Sequence, residues 1–365
     1  MTFSPKLRLL AGSVLATSVC AAAQADTVHV YNWSDYIAED TVANYEQKSG
    51  NKVVYDVFDS NEVVEAKLLT GNTGFDVVVP SAQFLGRQIK AGVFAKLDRS
   101  KLPNWKHLDP MLMSKLEKVD PGNEHAVPYL WGTTGIGYNV EKVKAILGED
   151  FEVNSWDMIF KPEIISKLAE CGVVTLDAAS EIVPAALHYL GMDPNTNDTK
   201  EIEKAGKLLK SIRPHIRYFH SSQYINDLAN GDVCVAVGWS GDVFQAADRA
   251  EEADNGVTVG YVIPNEGAAM WFDMLAIPAD AKQVEAAYDF VNYLMEPEVI
   301  AGISDYVSYP NGNKTSTSMV DPEITGNPAI YPPAEVMEKL YTFEVRPAKV
   351  SRATNKVWTE MKAGK

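Results

Sequence analysis

Basic side chains, cysteines, clustered histidines and long apolar runs are all scarce in this chain of 365 residues. Lys and Arg number 33 against 49 Asp and Glu, for a net charge of -16. Binding to phosphate backbones draws on clustered Lys and Arg, so no nucleic-acid partner is expected. A cationic ligand fits the balance better, although a charge of this size also serves solubility alone. The six histidines stand singly at 29, 107, 125, 188, 215 and 220, and no H-E-x-x-H occurs, so neither a metal site nor a histidine base has support. No cofactor motif is present either. Gly132-Thr-Thr-Gly135-Ile-Gly137 is neither a Walker A loop nor a G-x-G-x-x-G fingerprint and reads as a flexible or close-packed crossing strand. Gly238-Trp-Ser240-Gly-Asp242 misses the G-x-S-x-G elbow of serine hydrolases, because Asp stands where the second Gly is needed. A secreted glycosidase using two carboxylates stays open, since their separation is not legible in sequence.

The longest apolar run, over 9–23, has 15 residues, short of the ~20 that span a bilayer. Lys6 and Arg8 precede it and Ala23-Gln24-Ala25 follows, the pattern of a secretory leader cleaved after Ala25. Cys20 raises the question of lipidation, but Thr17-Ser18-Val19 lacks the Leu and small residues that precede a lipidated cysteine. Without residues 1–25 the net charge becomes -18 and only Cys171 and Cys234 remain. In an exported protein such a pair favours a disulfide over a metal site, with two buried free thiols as the other reading. Both cysteines begin strand-like runs, which places them on neighbouring strands of one sheet.

What the chain does contain is 46% apolar residues, enough for about two ordinary globular cores at this length. Short β-branched or aliphatic runs at 28–31, 53–57, 75–79, 173–176, 233–237 and 274–277 alternate with helical stretches, the grammar of an α/β protein. The clearest helix covers 281–295, with Asp280 as its cap, and Asp59 with Glu62 forms a capping box before a 63–69 helix. One unit recurs: 75–89 and 233–247 each read as buried strand, tight turn, helix. Ligands of open α/β sheets bind beyond the carboxyl ends of strands, so two such units predict two domains facing one cleft.

The turns are unusual in composition. Tyr31-Asn-Trp33-Ser34-Asp35-Tyr36, Gly238-Trp239-Ser240-Gly241-Asp242 and Trp271-Phe272-Asp273 each couple an aromatic to a carboxylate within three residues. An ammonium over an aromatic face gains ~0.5–2 kcal/mol, a carboxylate neutralises it, and ring walls pack on methylenes. A small apolar chain with cationic ends suits such a set. Taken singly, a Trp near a strand end is more often core packing, and Asp35, Asp40 and Asp242 are each placed to cap a helix. The threefold recurrence favours binding. Helix N-termini aimed at a cleft would repel an ammonium unless carboxylates intervene.

The stretches VHVYNWSDYIAEDTV, VVYDVFDSNEV, FDVVVPSA, GTTGIGYN, YFHSSQYINDLANGDVCVAVGWSGDVFQAADRA and WFDMLAIPADA resemble the periplasmic polyamine-binding proteins of bacterial ABC importers, over essentially the whole mature chain. The resemblance implies a two-domain type II binding-protein fold, with one domain from 26–130 plus 253–305 and the other from 131–252 plus 306–365. It implies a monomer that clamps a polyamine between its domains and presents it to a membrane permease. Carried over by position, Trp33, Tyr36, Trp239, Trp271 and Tyr309 form the aromatic box, and Ser34, Asp35 and Ser81 line one end. Asp242 and Asp273 meet the ammonium, and Glu181 holds the far end directly or through water. The family also pairs cysteines at the positions of Cys171 and Cys234. Putrescine-preferring relatives tend to carry Phe at the position of Trp271 and Ser at that of Gln83, whereas Asp35 and Asp242 look like the putrescine type, which puts putrescine slightly ahead of spermidine. A sugar receptor of the same fold is the main alternative, and a protein that only reports ligand to a signalling partner is a third.

Overall fold

The computed structural model describes Met1 and residues 25–364. Of the expected leader only Met1 and Ala25 are described, and Cys20 lies outside the described residues. Among those described, ten strands form one continuous, mostly buried sheet: β1 (Thr27–Trp33), β2 (Lys52–Phe58), β3 (Val77–Val78), β4 (Ala126–Asn139), β5 (Val173–Thr175), β6 (Ile216–Phe219), β7 (Val235–Trp239), β8 (Val259–Val262), β9 (Ala269–Ala276) and β10 (Tyr341–Thr342). The order is β2-β1-β3-β9-β4-β7-β5-β6, with β8 beside β4 and β10 beside β9. Two parallel groups, β2-β1-β3 and β7-β5-β6, are joined through the antiparallel pair β9 and β4.

Two apolar cores result. One gathers residues from 28–131 and 270–309, the other from 136–268 and 350–361. The 14-residue β4 runs from the first into the second, pairing with β9 over its first half and with β7 and β8 over its second. Its glycines are there for close packing. A Cβ on Gly132 would stand 2.8 Å from the Trp271 ring, and one on Gly135 2.5 Å from the Val262 carbonyl oxygen.

Cys171 and Cys234 are bonded, with Cα atoms 5.7 Å apart, just ahead of the parallel neighbours β5 and β7. Two caps differ from expectation. The helix Asn61–Thr70 is capped by Ser60, whose oxygen accepts from the Val63 N–H, so the cap sits one residue after Asp59. The helix expected over 281–295 is Val284–Leu294, and Asp280 does not cap it. The Asp280 carboxylate instead accepts from the Thr73 N–H, while Asp76 receives the Lys282 and Gln283 N–H groups ahead of the helix. A distant carboxylate serving first-turn donors leaves no local signature.

Candidate functional site

The parallel strands of both groups point their carboxyl ends at one place. Trp33 closes β1, Ser81 lies three residues past β3, Ser221 two past β6, and Trp239 closes β7. Glu181 sits in the first turn of the helix Ala179–Tyr189 that follows β5, and Asp242 in the first turn of Ser240–Glu252 after β7. Trp271 and Asp273 come from β9, and Tyr309 follows the helix Pro297–Val307, after Ser308 has turned the chain through a left-handed φ of 56°. These residues enclose a cavity together with Ser34, Tyr36 and Asn61.

Five rings wall it in an unbroken series of edge contacts. Trp33 meets Trp239 at 5.4 Å between centroids, Trp239 meets Trp271 at 6.4 Å, Trp271 meets Tyr309 at 5.4 Å and Tyr309 meets Tyr36 at 5.2 Å. Interplanar angles between 63° and 75° hold them in the edge-to-face geometry that the ring quadrupoles favour. The Trp33 indole donates to the Val79 carbonyl at 2.9 Å, which fixes its plane. A side chain on Gly241 would collide with the Tyr309 ring, so that glycine lets the ring close the box.

Three carboxylates face the same space, each held by hydroxyl groups. Asp242 accepts from Tyr309 at 2.7 Å and Tyr224 at 2.8 Å. Asp273 accepts from Ser81 at 2.5 Å and Tyr36 at 2.9 Å, and Glu181 from Thr134 at 2.8 Å. Burial raises Asp242 and Asp273 to about 7, against the pull of those hydroxyl donors, and raises Glu181 to about 8. Neighbouring acids push the same way: Asp35 on Asp242, Asp242 on Asp273, and Glu62 and Asp273 on Glu181. Among the described residues no Lys, Arg or His lines the cavity. Neutral donors hold these carboxylates in place, and the site supplies no cation to balance them.

Of the residues singled out in sequence, Trp33, Ser34, Tyr36, Ser81, Glu181, Trp239, Asp242, Trp271, Asp273 and Tyr309 meet at this cavity. Asp35 does not line it. Its backbone turns through φ 55°, and its carboxylate pairs with Arg249 at 2.7 Å on the rim, about a third exposed. Asp40 occupies the N-cap position of Thr41–Ser49 but makes no capping bond. Two lining residues carried no individual signal. The Asn61 amide bonds Ser81 through both its ends, donating to the side-chain oxygen at 2.9 Å and accepting from the N–H at 3.0 Å, and so orients the hydroxyl that serves Asp273. The Ser221 hydroxyl accepts from the Asp177 N–H at 3.1 Å. Neither residue is aromatic or charged, so nothing in local composition marks them.

Residues 40–332 match the family of bacterial extracellular solute-binding proteins. The chain is 58% identical over 359 residues to the putrescine-binding periplasmic protein of Escherichia coli (strain K12), covering 98% of this chain and 97% of that one. It is 59% identical to the putrescine-binding periplasmic protein of Pseudomonas aeruginosa (strain UCBPP-PA14), covering 98% and 96%. Among solved structures, a putative spermidine/putrescine ABC transporter protein from Listeria monocytogenes superposes with a TM-score of 0.83 at 30% identity, covering 93% of this chain and all of that one.

Proposed function

Because the chain belongs to the bacterial extracellular solute-binding protein family, we propose that it is the periplasmic receptor of an ABC importer, capturing a polyamine between its two domains and delivering it to the membrane permease. The fold is the two-domain α/β type II fold of periplasmic binding proteins. Relatives at 58–59% identity are putrescine-binding periplasmic proteins, and no helix among the described residues is long and apolar enough to cross a membrane. The imbalance inside the cavity carries the assignment: three buried carboxylates and five rings with no basic side chain among them. A sugar supplies no positive charge, so the three carboxyls could ionise beside it only against the burial that already raises them to about 7 and about 8. Two ammonium groups joined by methylenes satisfy both the carboxylates and the rings.

The residues divide the work. Asp242 and Asp273, near enough for one to raise the other, receive one ammonium, and Glu181 receives the amine at the other end. The rings cover the methylenes and exclude water, which strengthens each charge contact. Groups from both cores meet across the cleft: Tyr309, packed with the first core, bonds Asp242 on the helix after β7, and Asp35 pairs with Arg249. Closure therefore completes the site, and a ligand that needs both walls favours the closed arrangement. A leader cleaved after Ala25 and a monomeric, non-enzymatic protein belong to the same proposal, as do two domains whose boundaries, near 130, 253 and 305 by resemblance, shift to 131–136, 268–270 and past 309 if each domain follows one apolar core. One molecule carries both walls of the cleft.

Titration calorimetry with putrescine, spermidine, cadaverine and agmatine tests it. Putrescine is expected to bind tightest. If no amine bound below ~10 μM, equivalent to about 7 kcal/mol, the assignment would fail.

A further inference from the structure

A second cavity lies between the same two walls, separated from the amine slot by one pair of residues. Asn61 and Glu181 line the slot, while their chain neighbours Glu62 and Ser180 line the second cavity and bond each other at 3.0 Å. Four buried polar atoms on its lining residues have no hydrogen-bond partner among the described residues: Glu62 Oε2, Gln83 Nε2, Arg346 Nη1 and Thr354 Oγ1. They come from four different segments, the helices 61–70, 82–90 and 348–362 and the strap that carries Arg346. Gln83 and Thr354 are at least nine-tenths buried. Each such orphan costs about 1–3 kcal/mol if left dry, so four in one cavity call for an occupant.

The chemistry of the four defines it. Arg87 is already paired with Glu65, and Glu344, which also lines the cavity, acts on Arg346, which leaves Glu62 as the carboxylate with an unpartnered oxygen and Arg346 as the guanidinium with an unpartnered nitrogen. They do not satisfy each other. The acids that act on Arg346 are Asp193 and Glu344, and the cation that acts on Glu62 is Arg87. A lone anion would meet Glu62 and a lone cation would meet Arg346, and either would be repelled. We infer that this cavity is a second ligand site for a small zwitterion of the amino-acid class, its ammonium toward Glu62 and its carboxylate toward Arg346, with Gln83 and Thr354 completing its hydrogen bonds. An occupant held by both walls binds the closed arrangement, so it strengthens polyamine binding and is strengthened by it in equal measure. That coupling rests on the closure described above. The site itself does not.

The test titrates putrescine into the purified full chain at saturating glycine, β-alanine or 4-aminobutyrate, with butylamine and butyrate as single-charge controls. At least one zwitterion is expected to tighten putrescine at least threefold while neither control does. Thr354→Val and Arg346→Gln, each removing one orphan outside the amine slot, should abolish the tightening and leave the affinity for putrescine alone unchanged. Saturation-transfer NMR of the zwitterion without putrescine reads the site directly, so a failure of putrescine to bind would sink the polyamine assignment without touching this one. No zwitterion signal at ~10 mM, equal tightening by butylamine, or tightening that survives both variants would overturn the inference.

Discussion

Acidification should unload this protein, and the structure gives the size of the effect. In the ligand-free cavity burial holds Asp242 and Asp273 at about 7 and Glu181 at about 8. An ammonium against a carboxylate favours its ionised form, so binding must expel whatever protons these groups carry. The sign follows directly. Affinity is full where the carboxyls are already ionised, above pH 8 for the two aspartates and nearer 9 for Glu181, and falls as pH drops through 7. For one aspartate at the closed-cavity value of about 7 before binding and below 5 in the complex, the penalty at pH 5.5 is roughly 30-fold, or about 2 kcal/mol, an upper bound because opening of the free protein hydrates the carboxyl. Two such groups give a loss of up to ~1000-fold, with Glu181 adding more if it touches the amine directly. Because the charge of Asp242 raises Asp273, the drop belongs to the pair and not to either residue. Alkylammonium groups stay protonated to about pH 10, so affinity should plateau between 8 and 9.

Calorimetry from pH 5.5 to 9 at constant ionic strength measures the slope. Repeating pH 7 in buffers of different ionisation enthalpy counts the protons released, about one from the two aspartates and up to one more from Glu181. A flat affinity between pH 5.5 and 8, or heats independent of buffer, would show that the carboxyls are already ionised or do not meet the ligand.

The remaining predictions act on single contacts. Asp242→Asn should weaken putrescine by at least ~2 kcal/mol while circular dichroism shows the fold intact, because the ammonium loses one of its two carboxylates and, with the hydroxyls of Tyr224 and Tyr309, is left facing a neutral amide. Gly241→Ala should weaken binding at least tenfold by displacing the Tyr309 ring, read by calorimetry, and should also lower stability because that ring packs with the first core. The ligand-free protein should lose stability as pH rises from about 4 to 8, since each buried aspartate raised from 3.8 to about 7 favours its protonated form by roughly 4 kcal/mol. Saturating putrescine should remove that loss, so the gap in melting temperature between loaded and empty protein widens with pH. Replacing Cys171 and Cys234 together by Ser should cost ~2–4 kcal/mol in denaturant titration, given the 63-residue separation, and leave affinity unchanged because the bond sits at the opposite ends of β5 and β7 from the cleft.

Why most of this site was legible in sequence, and where legibility stopped, comes down to which residues carry their own reason for being where they are. Trp239 and Asp242 sit together in a strand-to-helix turn where core packing alone would not put both, and strand ends of a parallel sheet converge by topology, so aromatic and carboxylate pairs in those turns had to meet. Glu181, Ser81 and Tyr309 have no such local mark. Glu181 lies in an ordinary first turn, and Tyr309 depends on the left-handed turn at Ser308 and the bare Gly241 opposite. Only resemblance pointed to them. Asp35 shows the converse limit. It has the right neighbours, yet its backbone conformation sends the carboxylate to Arg249, 214 residues away. The same long-range logic explains Asp76 standing in for Asp280 at a helix start, and β8 and β10, whose short half-exposed runs become strands only because β4 and β9 offer edges. Local composition shows what a turn can hold. The partner that a side chain chooses is set by segments hundreds of residues away, and at this cleft that choice separates a carboxylate that waits for a cation from one that already has its own.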